Sequence, residues 1–214
     1  MEVPYNLHFE PSCEEVVLIA PGSSGGMKQS LIRAVFERAV EQRLTVLAFD
    51  YPYYYRGDEQ PSSQLREEVE AMAEATDLLS EAGAKSLHII GKSLGGVVAS
   101  ILLRHTRQME READKLGEIT EPDGPWSSLS DRVRLTVMGF VMPDITIEDL
   151  AAYRVDIIQG QFDRFANVMD IRDMLDNADR PDIGVTEVVG ADHSFRDSSG
   201  DDIYVQAAVN LIEW

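Results

Sequence analysis

Cysteine is nearly absent from this 214-residue chain: Cys13 stands alone, so no internal disulfide can form and no zinc site can be assembled from a cysteine cluster. A reducing compartment suits such a sequence. Basic residues are also scarce, 19 Lys plus Arg against 38 Asp plus Glu, which leaves a net charge of −19 and a pI of about 4.4. That balance repels phosphate backbones and anionic lipid surfaces, so nucleic acid and membrane are poor partners. Long apolar runs are missing too. The longest mostly apolar, uncharged stretch, residues 93–103, falls well short of the ~20 residues that cross a bilayer. The first residues carry neither the basic region nor the apolar run of a secretory signal, and the expected address is the cytoplasm.

What is present is the composition of a soluble globular protein, 44% hydrophobic and 27% charged. At roughly 150 residues per domain, the length predicts one domain, 1–214. Short β-branched and apolar runs recur at 16–20, 44–49, 86–90, 135–141, 155–158 and 185–189, and longer segments with helical spacing separate most of them. Runs that are continuously apolar rather than alternating belong to strands buried on both faces, so the pattern predicts βα units around a mainly parallel sheet. Residues 5–9 add a candidate antiparallel edge strand. Helical stripes are read at Leu31, Val35 and Ala39, at Leu65, Val69 and Met72, and in a last helix starting near Asp201 and running through Ile203, Ala207 and Leu211. The charged stretch 104–121 and the Pro/Gly/Ser-rich residues after it predict a surface excursion, a solvated helix end in preference to a lid.

The sharpest local signal is Gly91-Lys92-Ser93-Leu94-Gly95, a Gly-x-Ser-x-Gly that follows a buried strand and opens a helix. Such a nucleophile elbow holds its serine in a strained, exposed turn, and the next amide, that of Leu94, is free to donate to an oxyanion. A Walker A loop is excluded, because the glycine it needs five positions before Gly91 is Ser86. Gly22-Ser23-Ser24-Gly25-Gly26 satisfies the same pattern with Ser24 at its centre, but a glycine-rich loop after an earlier strand suits a second oxyanion donor, from Ser23 or Gly22. Ser93 is therefore preferred over Ser24 as nucleophile.

A serine hydroxyl needs a histidine to take its proton and a carboxylate to orient that histidine. His8, His88 and His105 read as structural or solvated, whereas His193 follows the last strand in a loop before the final helix. Asp163 lies just past the penultimate strand; Asp156, within that strand, and Asp192, next to the histidine, are the weaker alternatives. The carboxyl ends of parallel strands share one edge of a sheet, so Ser93, Asp163 and His193 can meet there. Lys92 beside the nucleophile either favours an anionic group or, the preferred reading, points away to an acidic partner. Tyr51 and Tyr53, after the second parallel strand, serve equally as pocket wall or as loop packing.

The elbow, Gly160-Gln161-Phe162-Asp163 and Ala191-Asp192-His193-Ser194-Phe195, in that order, resemble the α/β-hydrolase superfamily over nearly the whole chain. Ala20-Pro21-Gly22-Ser23-Ser24-Gly25-Gly26-Met27 and Phe49-Asp50-Tyr51-Pro52-Tyr53 are similar to its small, dienelactone-hydrolase-like group, although Pro21 stands where members often carry histidine. The resemblance implies an α/β-hydrolase fold with six to seven strands, helices on both faces and no large cap domain. Together with the residues above it leads to the expectation of a serine hydrolase cleaving a small ester or thioester, as a monomer or homodimer, with no metal or organic cofactor, and the acidic charge balance favours a small neutral carbonyl substrate. A non-catalytic scaffold of the same fold, binding a ligand or a protein, is the alternative.

Overall fold

Alternation along each central strand sends side chains to both faces of one sheet, and both faces are covered. In the computed structural model, which describes residues 4–11, 13–81, 83–116, 132–146, 150 and 153–214, seven strands pair in the order β1-β3-β2-β4-β5-β6-β7. They are β1 (Tyr5–His8), β2 (Glu15–Ala20), β3 (Thr45–Phe49), β4 (Ser86–Lys92), β5 (Val133–Met138), β6 (Arg154–Gly160) and β7 (Gly184–Val188). All neighbours run parallel except β1, which pairs antiparallel with β3 as the expected edge strand. Val16, Leu18, Leu47 and Ile89 point to one apolar layer; Val17, Ile19, Val46 and Ile90 point to the other.

The first layer is closed by α3 (Arg66–Glu81) and α4 (Leu94–Leu116), through Met72, Ala75, Leu79, Val98 and Leu103. The second is closed by α1 (Ser30–Glu41) and α6 (Val205–Val209). A short α2 (Pro52–Arg56) follows β3, and α5 (Val168–Asn177) lies between β6 and β7. Because β3 lies on one side of β2 and β4 on the other, the chain reverses its direction of travel across the sheet between β2 and β4. In an open parallel sheet, the crevice outside that switch point is where ligands bind.

Several expectations shift in detail. The strand expected at 135–141 ends at Met138, because Gly139 turns the chain at φ +74° and the buried Gln159 side chain takes the Phe140 amide at 2.6 Å. The last helix starts at Val205 rather than near Asp201 and ends at Val209, with Val205, Ala208 and Val209 buried; Ile203 and Leu211 lie outside it and are exposed. Asp201 and Asp202 are committed elsewhere. The Asp201 amide donates to the Asp197 carboxylate, the Asp202 carboxylate pairs with Arg196, and Tyr204 stands at the N-cap of the last helix without a side-chain cap bond. Residues 52–56 are helical where a loop was expected. Pro52 at the first turn and Gly57 in the left-handed conformation after the last are the signals that mark it. Residues 104–116 continue α4, and the remainder of the expected excursion lies outside the described residues. No helix among the described residues is long and apolar enough to cross a membrane.

Candidate active site

β4 delivers Ser93 to the switch point. Its last residue, Lys92, is still in the strand and Leu94 is already in α4, so the chain reverses within the single residue Ser93, held at φ +51°. A left-handed serine is strained, and the flanking glycines make the strain tolerable. A β-carbon on Gly91 would stand 2.6 Å from the Gly96 nitrogen, and one on Gly95 would stand 2.3 Å from the Ala20 carbonyl oxygen. The second contact also shows that the elbow abuts the end of β2, from which the glycine-rich loop departs. The Ser93 amide is anchored on the Met138 carbonyl at 3.0 Å, which ties the turn to β5.

Strand ends bring the other two residues to the same place. The Ser93 hydroxyl donates to His193 Nε2 at 2.9 Å, and His193 Nδ1–H donates to Asp163 Oδ2 at 2.6 Å. An ionised carboxylate can only accept, so the proton of a neutral imidazole sits on Nδ1 and Nε2 is left as the base. The Asp163 side chain is fully buried and that of His193 is 16% exposed. Asp163 Oδ1 accepts the Phe165 amide at 2.9 Å, and the Phe165 ring lies over the imidazole with centroids 4.5 Å apart. Phe165 thus holds both Asp163 and His193; its position two residues after Asp163 is the only trace of this in the sequence. Arg164 sits over the outer face of that ring at 4.9 Å, and Phe162, 68% exposed, adds apolar surface to the same loop.

The competing residues have other partners. Asp192 Oδ1 accepts the Ser194 and Arg196 amides at 2.7 and 2.8 Å, which makes it the organiser of the His193 loop. Asp156 pairs with Arg134 at 2.8 Å. His88 is buried against Thr136 at 2.8 Å, and burial with the nearby Arg134 and Arg154 cations lowers its pKa to about 3. Ser24 is not at an elbow, because a 3-10 turn, Gly26–Lys28, separates it from α1.

Neither the Leu94 amide, first in α4, nor the Ser23 amide, in the glycine-rich loop, has a protein acceptor among the described residues. Tyr53 fixes the second. Its hydroxyl donates to the Ser23 carbonyl at 2.7 Å, and burial with the nearby Glu68 carboxylate pushes its pKa up to about 12, so it remains a donor across the neutral range. Gly22 packs beside the stem of Lys92. Tyr51 departs from the pocket-wall expectation. It is buried in the core, edge-on to Phe49 and stacked on Tyr53, because the short α2 turns these rings inward. Lys92 departs as well. Among the described residues it forms no ion pair; it points into the protein, where burial lowers its pKa to about 7 against the attraction of the nearby Asp163 and Asp192. Among the described residues no three His, Cys, Asp or Glu side chains cluster as metal ligands.

Residues 13–117 match a family described as an alpha/beta hydrolase domain. A protein of unknown function from Agrobacterium tumefaciens, of α/β-hydrolase type, superposes with a TM-score of 0.70 at 17% identity, covering 97% of this chain and 87% of that one. A serine hydrolase without a lid from Xanthomonas campestris gives 0.65 at 16% identity, with 97% and 86% covered. Dienelactone hydrolase from Anabaena variabilis gives 0.54 at 15% identity, with 98% and 90% covered. No curated protein matches by sequence. The chain has the α/β-hydrolase fold, with no large cap among the described residues, and the resemblance to that superfamily is supported by sequence over 13–117 and by fold along nearly all of it.

Proposed function

We propose that the protein is a single-domain serine hydrolase, carboxylesterase-like, that cleaves a small ester or thioester through an acyl-enzyme. The observation that carries this reading is the continuous relay from Ser93 Oγ through His193 to Asp163, with bonds of 2.9 and 2.6 Å, next to the unpaired Leu94 amide. Ser93 Oγ attacks the carbonyl carbon while its proton passes to His193 Nε2, and Asp163 stabilises the imidazolium that forms. The carbonyl oxygen becomes an oxyanion that accepts from the Leu94 and Ser23 amides, a contribution typically near 3 kcal/mol per donor. Collapse expels the alcohol or thiol, which takes the proton from Nε2. Water then repeats the sequence on the acyl-serine, with His193 as base, and releases the acid.

Phe162 and Phe165 supply the apolar wall against which an acyl or alkoxy group can lie. The lidless serine hydrolase and the dienelactone hydrolase of the same fold support an open site for a small carbonyl substrate. Intact-mass spectrometry during turnover of short p-nitrophenyl esters tests this. An acyl adduct that maps to Ser93 and forms in a burst is expected; no turnover and no adduct across the series would leave only a binding scaffold.

A further inference from the structure

Lys92 is a buried side chain that the proposed reaction does not use. As the last residue of β4 it shares a face with Ile90, and it is 5% exposed. Its stem runs under the glycine-rich loop, with Cγ 3.5 Å from where a Gly22 β-carbon would stand. Its head ends at β5. Lys92 Nζ, His193 Cε1 and His193 Nδ1 lie 2.9, 3.1 and 3.2 Å from the point a Gly139 β-carbon would occupy. The missing side chain of Gly139 leaves a gap that the ammonium and the edge of the imidazole share.

Among the described residues Lys92 has no hydrogen bond or ion pair. The charged groups that face it are Asp163, on the loop after β6, and Asp192, on the loop after β7, with His193 beside it; the loop after β2 presents Gly22 and β5 presents Met138 and Gly139. A lysine that is desolvated and unpaired sheds its proton far more readily than one in water, and two cations in one desolvated gap oppose each other.

We propose that Lys92 is a positioning residue that acts through His193: its ammonium form opposes the His193 imidazolium, and loss of its proton removes that opposition. The inference rests on the reading of Ser93 and His193 as nucleophile and base. The two groups titrate as a pair, with steps that belong to both. The charged lysine disfavours a proton on the imidazole, and the neutral amine leaves the imidazolium unopposed during acyl transfer.

Proton NMR of the His193 Cε1–H resonance in the full-length protein without substrate, assigned by loss in His193→Gln, tests the coupling. In the wild type two steps are expected, imidazolium formation and a smaller displacement near neutrality. In Lys92→Met a single step is expected, with its midpoint about one pH unit higher, a tenfold gain in proton affinity. Lys92→Arg should keep the low midpoint and lose the second step. Midpoints that agree within about 0.2 units in wild type and Lys92→Met overturn the proposal. Should Lys92→Met fail to fold, Lys92→Gln takes its place, with the same rise in the His193 midpoint expected and an unchanged midpoint overturning the proposal. None of these readouts needs turnover. A shifted midpoint in a protein without hydrolase activity sinks the hydrolase reading alone, and an unshifted one in an active enzyme sinks the role of Lys92 alone.

Discussion

Replacing Asp163 by asparagine changes one atom in the buried relay and inverts its proton order. In the wild type Oδ1 accepts the Phe165 amide at 2.9 Å and Oδ2 accepts from His193 Nδ1 at 2.6 Å. An asparagine keeps its carbonyl oxygen on the Phe165 amide, which leaves its NH2 facing Nδ1. Nδ1 must then become the acceptor, so the neutral imidazole carries its proton on Nε2 and points it at the Ser93 hydroxyl 2.9 Å away. No base remains. In serine proteases the same inversion lowers kcat by about 10⁴, which corresponds to about 5 kcal/mol in the barrier. The assay is kcat/KM on a short p-nitrophenyl ester at pH 8, with thermal unfolding to show that the fold is retained. Asp192→Asn is the paired control: its Oδ1 accepts two backbone amides, which an asparagine carbonyl also does, so a loss under about threefold is expected. A loss under tenfold in Asp163→Asn together with a larger loss in Asp192→Asn would refute the assignment of the acid.

Gly95→Ala drives a β-carbon to 2.3 Å from the Ala20 carbonyl oxygen, and a loss of about 3 kcal/mol or more is expected in urea unfolding. Tyr53→Phe frees the Ser23 carbonyl, and a loss of about 1 kcal/mol in stability should accompany a roughly tenfold drop in kcat/KM; unchanged kinetics would remove Ser23 from the oxyanion site. Lys92 supplies a pH test of stability. Its pKa falls from the ordinary lysine value to about 7 on folding, so between about pH 7 and 10.5 the unfolded chain binds the extra proton and stability rises with pH. Lys92→Met should therefore gain stability over the wild type by a few kcal/mol below pH 7, with the gain vanishing towards pH 10; a gain independent of pH would show that Lys92 is paired or solvated.

The sheet and the three convergent residues are legible in the sequence because each rests on a local rule. Continuous apolar runs such as Val16 to Ala20 mark doubly buried strands, and the turn at Ser93 needs Gly91 and Gly95. Other features depend on contacts between distant segments. Nothing near Tyr51 in sequence indicates that α2 turns its ring into the core, and nothing near Lys92 indicates that a gap at Gly139, some fifty positions on, receives its ammonium. The last helix was misplaced for a related reason. Ile203 and Leu211 fit a helical stripe, but the aspartate turns around residue 197 and the Arg196–Asp202 pair precede a helix that starts only at Val205 and ends at Val209, with Val205, Ala208 and Val209 as its buried face. The charge of −19 carries no information about the site, whose character is set by a few buried groups.

Labelling with an uncharged fluorophosphonate probe tests the central assignment most directly. Wild type and Ser24→Ala should label at the same rate, with the adduct on Ser93, and Ser93→Ala should not label at all. Labelling that persists in Ser93→Ala and is lost in Ser24→Ala would contradict it.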